Sequence, residues 1–217
     1  MIEGKNTILF DMDGVLVDSE LQHYEAWNEV FQELGFTVPW DVYKPNIGRT
    51  LVNLFKIVED YVGYPLKDHD ALLDNYKEKL DRLFDREGYK EIPGVKEIIP
   101  KLKDAGYHIA VASSSPVKEI ERTIRHVGLE GQFEILYSGE NARRPKPWPD
   151  PFLECAKLIG SDPASCIVVE DSYNGSLAGK RAGMMVIGIQ NPGSGDQDLS
   201  NADIIIDKFS ELEGILL

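Results

Sequence analysis

Between residues 19 and 87 the apolar positions recur with a helical period. In "ELQHYEAWNEVFQELG", Tyr24, Trp27, Phe31 and Leu34 fall at three- and four-residue steps, and Gly35 supplies a C-terminal stop. "TLVNLFKIVEDYVG" places Leu51, Leu54, Phe55, Val58 and Val62 in the same way. "DHDALLDNYKEKLDRLF" adds Leu72, Leu73, Tyr76, Leu80, Leu83 and Phe84. This stretch reads as helix after helix.

On either side of it the pattern changes. "TILF" at residues 7–10 is a short apolar run, and from about Gly88 strands alternate with helices. "PGVKEIIPKLKDAG" predicts an amphipathic helix in which Pro100 warns of a kink or an early turn. "YHIAVASSS" is a buried strand ending in serines, followed by the helix "PVKEIERTIRHVG". Then come the strand "FEILYSG", the helix "PDPFLECAKLIG", the strand "SCIVVED" and the helix "SYNGSLAGKRAG". "MMVIGI" and "ADIIID" complete the set of short strands.

Strands separated by helices of this length imply crossover units and a parallel sheet. Ile167, Val168 and Val169 are continuous rather than alternating, as in a strand covered on both faces. The expected fold is an α/β, three-layer, Rossmann-like parallel sheet core with an inserted all-helical cap. Residues 1–18 and 88–217 form the core in this reading, and residues 19–87 the cap. The longest stretches without a period are "SGENARRPKPWPD" and "NPGSGDQDLSN", and long loops in such folds are often functional.

Composition narrows the partners. The chain carries 23 Lys and Arg against 37 Asp and Glu, a formal net charge of −14. That balance argues against nucleic acid, where basic residues must neutralise phosphates. It leaves room for a small anionic substrate, because a divalent cation reverses the local field. No run approaches the roughly 20 apolar residues of a spanning helix, so no membrane partner is expected. Cys155 and Cys166 stand in apolar surroundings without a C-x-x-C motif and read as buried thiols of a reducing compartment. A cytoplasmic protein follows as the expectation, with a monomer as the default because no unexplained apolar stripe stands out.

Three strands end in polar or reactive groups: Asp11 and Asp13 after "ILF", Ser113 after "IAVA", Glu170 and Asp171 after "CIVV". Right-handed crossovers bring the carboxyl ends of parallel strands to one edge, where ligand crevices form. A single aspartate there is often a helix N-cap. Four carboxylates from successive core strands need a compensating charge, since like charges held close raise one another's pKa. Their hard oxygens suit magnesium, which binds through a few protein oxygens, waters and a substrate phosphate.

Gly14 lets backbone approach a ligand closely. Ser113 offers a hydroxyl and an amide to a phosphate, and Lys146, between two prolines, is a rigidly placed cation suited to a negative transition state. Arg143 and Arg144 read as surface charges. The set reads as phosphoryl transfer, with one carboxylate attacking phosphorus and another protonating the leaving oxygen.

In order and spacing, "DMDGVLVD", Ser113 in "VASSS", Lys146 in "KPWPD" and "EDSYNG" resemble the four motifs of the haloacid-dehalogenase-like hydrolases. With the insert after the first motif, the likeness covers essentially the whole chain. It points to the small-cap subgroup of phosphoglycolate phosphatases, sugar phosphatases and β-phosphoglucomutase. The resemblance implies that Asp11 is the nucleophile and forms an aspartyl-phosphate, and that Asp13 is the general acid and base. It further implies that Asp11, the Asp13 backbone carbonyl and Asp171 bind magnesium, with Glu170 as ligand or support. Ser113, Gly14 and Lys146 would hold the phosphoryl group. Asp13, two residues after the nucleophile, implies phosphotransfer rather than dehalogenation.

The cap carries three candidates for substrate contact. His23 and Trp27 lie one turn apart on one helix face. His23 resembles a mutase histidine linked to proton transfer, and Arg49 in "IGRT" resembles an arginine that holds the non-transferring phosphate there. A lysine expected near "DNY" in the mutase is Leu72 here. The leading expectation is therefore hydrolysis of a small phosphorylated sugar or related metabolite. β-Phosphoglucomutase activity is the alternative, and a non-enzymatic binding protein that keeps the fold is the third.

Overall fold

Ile8, Leu9 and Phe10 are fully buried, and their strand is the middle of a parallel sheet. In the computed structural model, which describes residues 2–47 and 51–217, the strands are β1 (Thr7–Phe10), β2 (His108–Ser113), β3 (Ile135–Ser138), β4 (Cys166–Glu170), β5 (Met185–Ile189) and β6 (Ile204–Ile206). Their order is β3-β2-β1-β4-β5-β6, all parallel. Phe10 aligns with Val111 of β2 and with Val169 of β4. The connections carry helices α5 (Val95–Asp104), α6 (Val117–His126), α7 (Asp150–Ile159) and α8 (Tyr173–Arg181), and α9 (Glu211–Leu216) closes the chain. α5 runs through Pro100 rather than ending at it.

The chain divides into two compact units. One comprises Met1–Asp18 and Lys90–Leu217, the other Ser19–Tyr89. In the sheet-bearing unit, Leu9, Ala110, Val168 and Val186 pack with Phe152, Cys155 and Ala178 of the helices. Gly179 lies so close to Val168 and Val186 that an added Cβ would press on both. Leaving β1, the chain coils tightly, and the Met12 carbonyl accepts from the amides of Val15, Leu16 and Val17. The outgoing and returning segments then pair. Asp18 N–H donates to the Lys90 carbonyl at 2.7 Å and Ile92 N–H to the Leu16 carbonyl at 3.1 Å, with Val17 bridged to Glu91.

The second unit holds α1 (Glu20–Glu33), α2 (Trp40–Tyr43), α3 (Leu51–Val62) and α4 (His69–Glu87). α1 packs on α4. Trp27 is the centre of its core: it stacks on Tyr76 at 4.2 Å and on Phe31 at 5.6 Å, and meets Phe55 edge-on. Lys79, almost wholly buried, extends to Glu33 at 2.6 Å. Among the described residues no helix is long and apolar enough to cross a membrane.

Candidate active site

The parallel register sets Asp11 and the Glu170–Asp171 pair at the same sheet edge, one residue beyond the aligned Phe10 and Val169. Asp11 N–H still donates to the Val169 carbonyl at 3.0 Å, so the first carboxylate is fixed to its neighbour strand. Side chains two apart in an extended chain share a face. Accordingly Met12 is fully buried while Asp11 and Asp13 are half-buried. Gly14 then turns the chain with φ of +75°.

Lys146 joins the two strand ends. Its Nζ lies 2.9 Å from Asp11 Oδ1 and 2.8 Å from Glu170 Oε1, and 4.8 Å above the Phe152 ring. Burial pushes the Asp11 carboxyl up to about 7, with Lys146 opposing and Glu170 and Asp13 adding to the rise. For Lys146 burial pulls downward, but Asp11 and Glu170 outweigh it and hold the ammonium charged beyond lysine's usual range.

The loop that carries Lys146 is itself clamped. Arg144 stacks over Trp148 at 4.4 Å and pairs with Asp150, while Arg181 lies over the same ring and donates to the Pro147 carbonyl. Arg144 is thus a strut of this loop rather than a free surface charge.

Glu170 is fully buried and both its oxygens are engaged. Oε2 accepts from Asp171 N–H, Ser172 N–H and the Ser172 hydroxyl, and Oε1 accepts from Lys146. Any Cβ on Gly175 would strike this carboxylate, which explains the glycine that ends "EDSYNG".

Ser113 is buried, and its hydroxyl accepts from Ser115 N–H at 3.0 Å. Ser115 in turn donates its hydroxyl to Asp13 Oδ2 at 2.9 Å, and Ser138 donates to the Ser115 carbonyl at 2.8 Å. In the sequence the serine triplet "SSS" is the signal that points to Ser115.

Asp11, Glu170 and Asp171 each bring one carboxylate oxygen within 4.8 Å of the others. The donors are all hard oxygens. Asp11 Oδ1 is buried without an aligned hydrogen bond, although Lys146 is at ion-pair distance. A Cβ on Gly14 would collide with Asp171 and meet Ser194 Oγ at 2.5 Å, so only glycine leaves this pocket open. On these grounds the residues fit a hard divalent cation.

His23 and Trp27 lie in the helical unit. His23 Nδ1 is 2.5 Å from the Tyr76 hydroxyl and its ring meets Phe84 edge-on. Trp27 is 2% exposed, so its ring serves that unit's core and supports Tyr76. Arg49 lies outside the described residues.

Comparison with known proteins agrees with this geometry. The family model described as haloacid dehalogenase-like hydrolase matches residues 8–189. Hexitol phosphatase B of Escherichia coli is 31% identical, over 94% of this chain and 92% of its own. A phosphorylated carbohydrates phosphatase of Thermotoga maritima is also 31% identical, over 82% of this chain and 81% of its own. CbbY from Rhodobacter sphaeroides, solved in complex with phosphate and, as a mutant, with xylulose-1,5-bisphosphate, superposes with a TM-score of 0.82. It is 25% identical and covers 96% of both chains. With its motif residues gathered at one sheet edge and its match spanning most of the sequence, the chain belongs to the haloacid dehalogenase-like hydrolases.

Proposed function

We propose that this enzyme is a magnesium-dependent phosphatase of small sugar phosphates that works through an aspartyl-phosphate. The observation that carries the reading is the bridge of Lys146 between Asp11 and Glu170, with Asp13 two residues on and tied to Ser115. Asp11 is the nucleophile. One of its carboxylate oxygens forms a bond to phosphorus as the bond to the sugar oxygen breaks, and Asp13 gives that oxygen its proton. Asp13 then takes a proton from water, whose oxygen attacks the phosphorus, releasing phosphate and restoring Asp11.

Asp11, Asp171 and the Asp13 carbonyl would hold the cation, which when bound supplies charge neutralisation on the phosphoryl oxygens. Lys146 adds a second positive charge there, and Ser113 with the Gly14 turn would bind the phosphoryl oxygens. Glu170, its oxygens occupied, holds Lys146 and the Asp171 loop in position. The similarity to phosphatases of hexitols and phosphorylated carbohydrates supports the substrate class. In the helical unit, His23 and its partner Tyr76 are the groups we assign to substrate selection, together with Arg49.

The test is phosphate release from a panel of hexose, hexitol and pentose phosphates, with magnesium and with chelator. Turnover of at least one, lost on chelation and reduced about a thousandfold or more in Asp11→Asn with the fold retained, is expected. No turnover of any phosphomonoester, or an active Asp11→Asn, overturns the reading. Including β-glucose 1-phosphate with a bisphosphate primer tests the mutase alternative. Leu72, buried in the helical unit where that alternative has a lysine, counts against it.

A further inference from the structure

The segment after β5, "NPGSGDQ", spans residues 191–197 and has no part in the chemistry above. It is nevertheless fastened to both loops that carry the metal-holding carboxylates. Asn191 Nδ2 donates to the Gly14 carbonyl at 3.2 Å, while Asn191 Oδ1 accepts from Gly193 N–H and shapes the turn. Gln197 Oε1 accepts from Tyr173 N–H at 3.1 Å, at the start of α8, and Gln197 Nε2 donates to the Ser194 carbonyl at 3.0 Å. Cavities of about 460 and 420 Å³ flank this strap, the first of them reaching Asp171.

Within the strap one group is left over. Ser194 is 1% exposed, and its hydroxyl has no hydrogen-bond partner among the described residues. A buried hydroxyl is normally satisfied, so each exception calls for a reason. Ser194 Oγ and Asp171 Oδ2 both come against the same side of Gly14, where no side chain intervenes. Among the described residues, the Ser194 hydroxyl is thus a buried, unpartnered donor at that face of Asp171.

We infer that Ser194 is a positioning residue for the cation site, its hydroxyl turning to donate to the Asp171 carboxylate when a divalent cation is bound. The inference rests on the magnesium reading above and deepens it. A carboxylate that ligates a metal is oriented by the donors on its other lone pairs, and loss of such a donor characteristically weakens metal binding. The strap explains how a loop far along the chain holds the donor: Asn191 sets its height over Gly14, and Gln197 sets its distance from α8.

The experiment is calorimetric titration of the full chain with magnesium, beside thermal melting in chelator. Ser194→Ala and Ser194→Cys, the latter keeping volume but only a weak donor, are compared with wild type. Both variants should melt at or above the wild-type temperature in chelator, because an unsatisfied buried hydroxyl is removed. Both should bind magnesium about tenfold or more weakly. Wild-type affinity in either variant overturns the inference and leaves the metal reading intact. Failure of wild type itself to bind magnesium overturns both.

Discussion

Lys146 and Glu170 form a buried ion pair at 2.8 Å, and Glu170 has no solvent exposure at all. Breaking such a pair from one side leaves an uncompensated charge in the interior. Lys146→Met should therefore lower stability in chelator by about 3 kcal/mol, read from urea denaturation. Adding Glu170→Gln should recover part of that loss, with a coupling of about 1–3 kcal/mol. Strict additivity of the two substitutions would show that the pair is not a unit.

Trp27 stacks on Tyr76 and on Phe31 and is buried. Its main effect should be on folding. Trp27→Ala is expected to cost about 3–5 kcal/mol of stability, and Trp27→Phe distinctly less. A Trp27→Ala protein with unchanged stability and altered KM would assign the ring to substrate contact instead.

Asp203 ties three elements together, accepting from Lys180 at 2.5 Å and from Val186 N–H at 2.8 Å. Burial raises its carboxyl, but Lys180 and the Val186 amide outweigh that and hold it below its ordinary 3.8. A carboxyl depressed on folding contributes stability above its unfolded pKa and loses it as pH falls through the folded one. Wild type should thus melt above Asp203→Asn at pH 7, by up to about 1 kcal/mol in this half-exposed site. The two curves should converge as pH drops below 3.8. A gap that persists unchanged in acid would contradict the assignment.

Both cysteines are buried, and burial pushes the Cys155 thiol up to about 12 and the Cys166 thiol up to about 11. The thiolate is the reactive form. Native protein at pH 8 should leave a disulfide reagent unconsumed over minutes, while the denatured chain should release two equivalents of its chromophore. Rapid labelling of the native form would be incompatible with this packing.

What could be read from residues alone follows a physical rule. Asp11, Asp171 and Lys146 were legible because the direction of parallel strands and the stiffness of a proline-flanked lysine constrain them before any loop is placed. Ser115, Asn191 and Ser194 were not, since their roles depend on how loops from distant strands meet. Trp27 shows the same limit inside a helix: periodicity gives its face, but only packing decides whether that face is core or lining. α2 and α9 span too few residues for a helical period to register.

The pairing of Leu16 and Asp18 with Ile92 and Lys90 has a wider consequence. Residues 19–89 leave and rejoin the sheet-bearing unit through a single doorway of hydrogen-bonded backbone. That pairing already brings the two ends of the segment together, so a longer guest adds only slowly to the cost of closing it. Under the proposed function, substrate choice can thus be rewritten within residues 19–89, by mutation or by grafting, while the aspartates keep their frame.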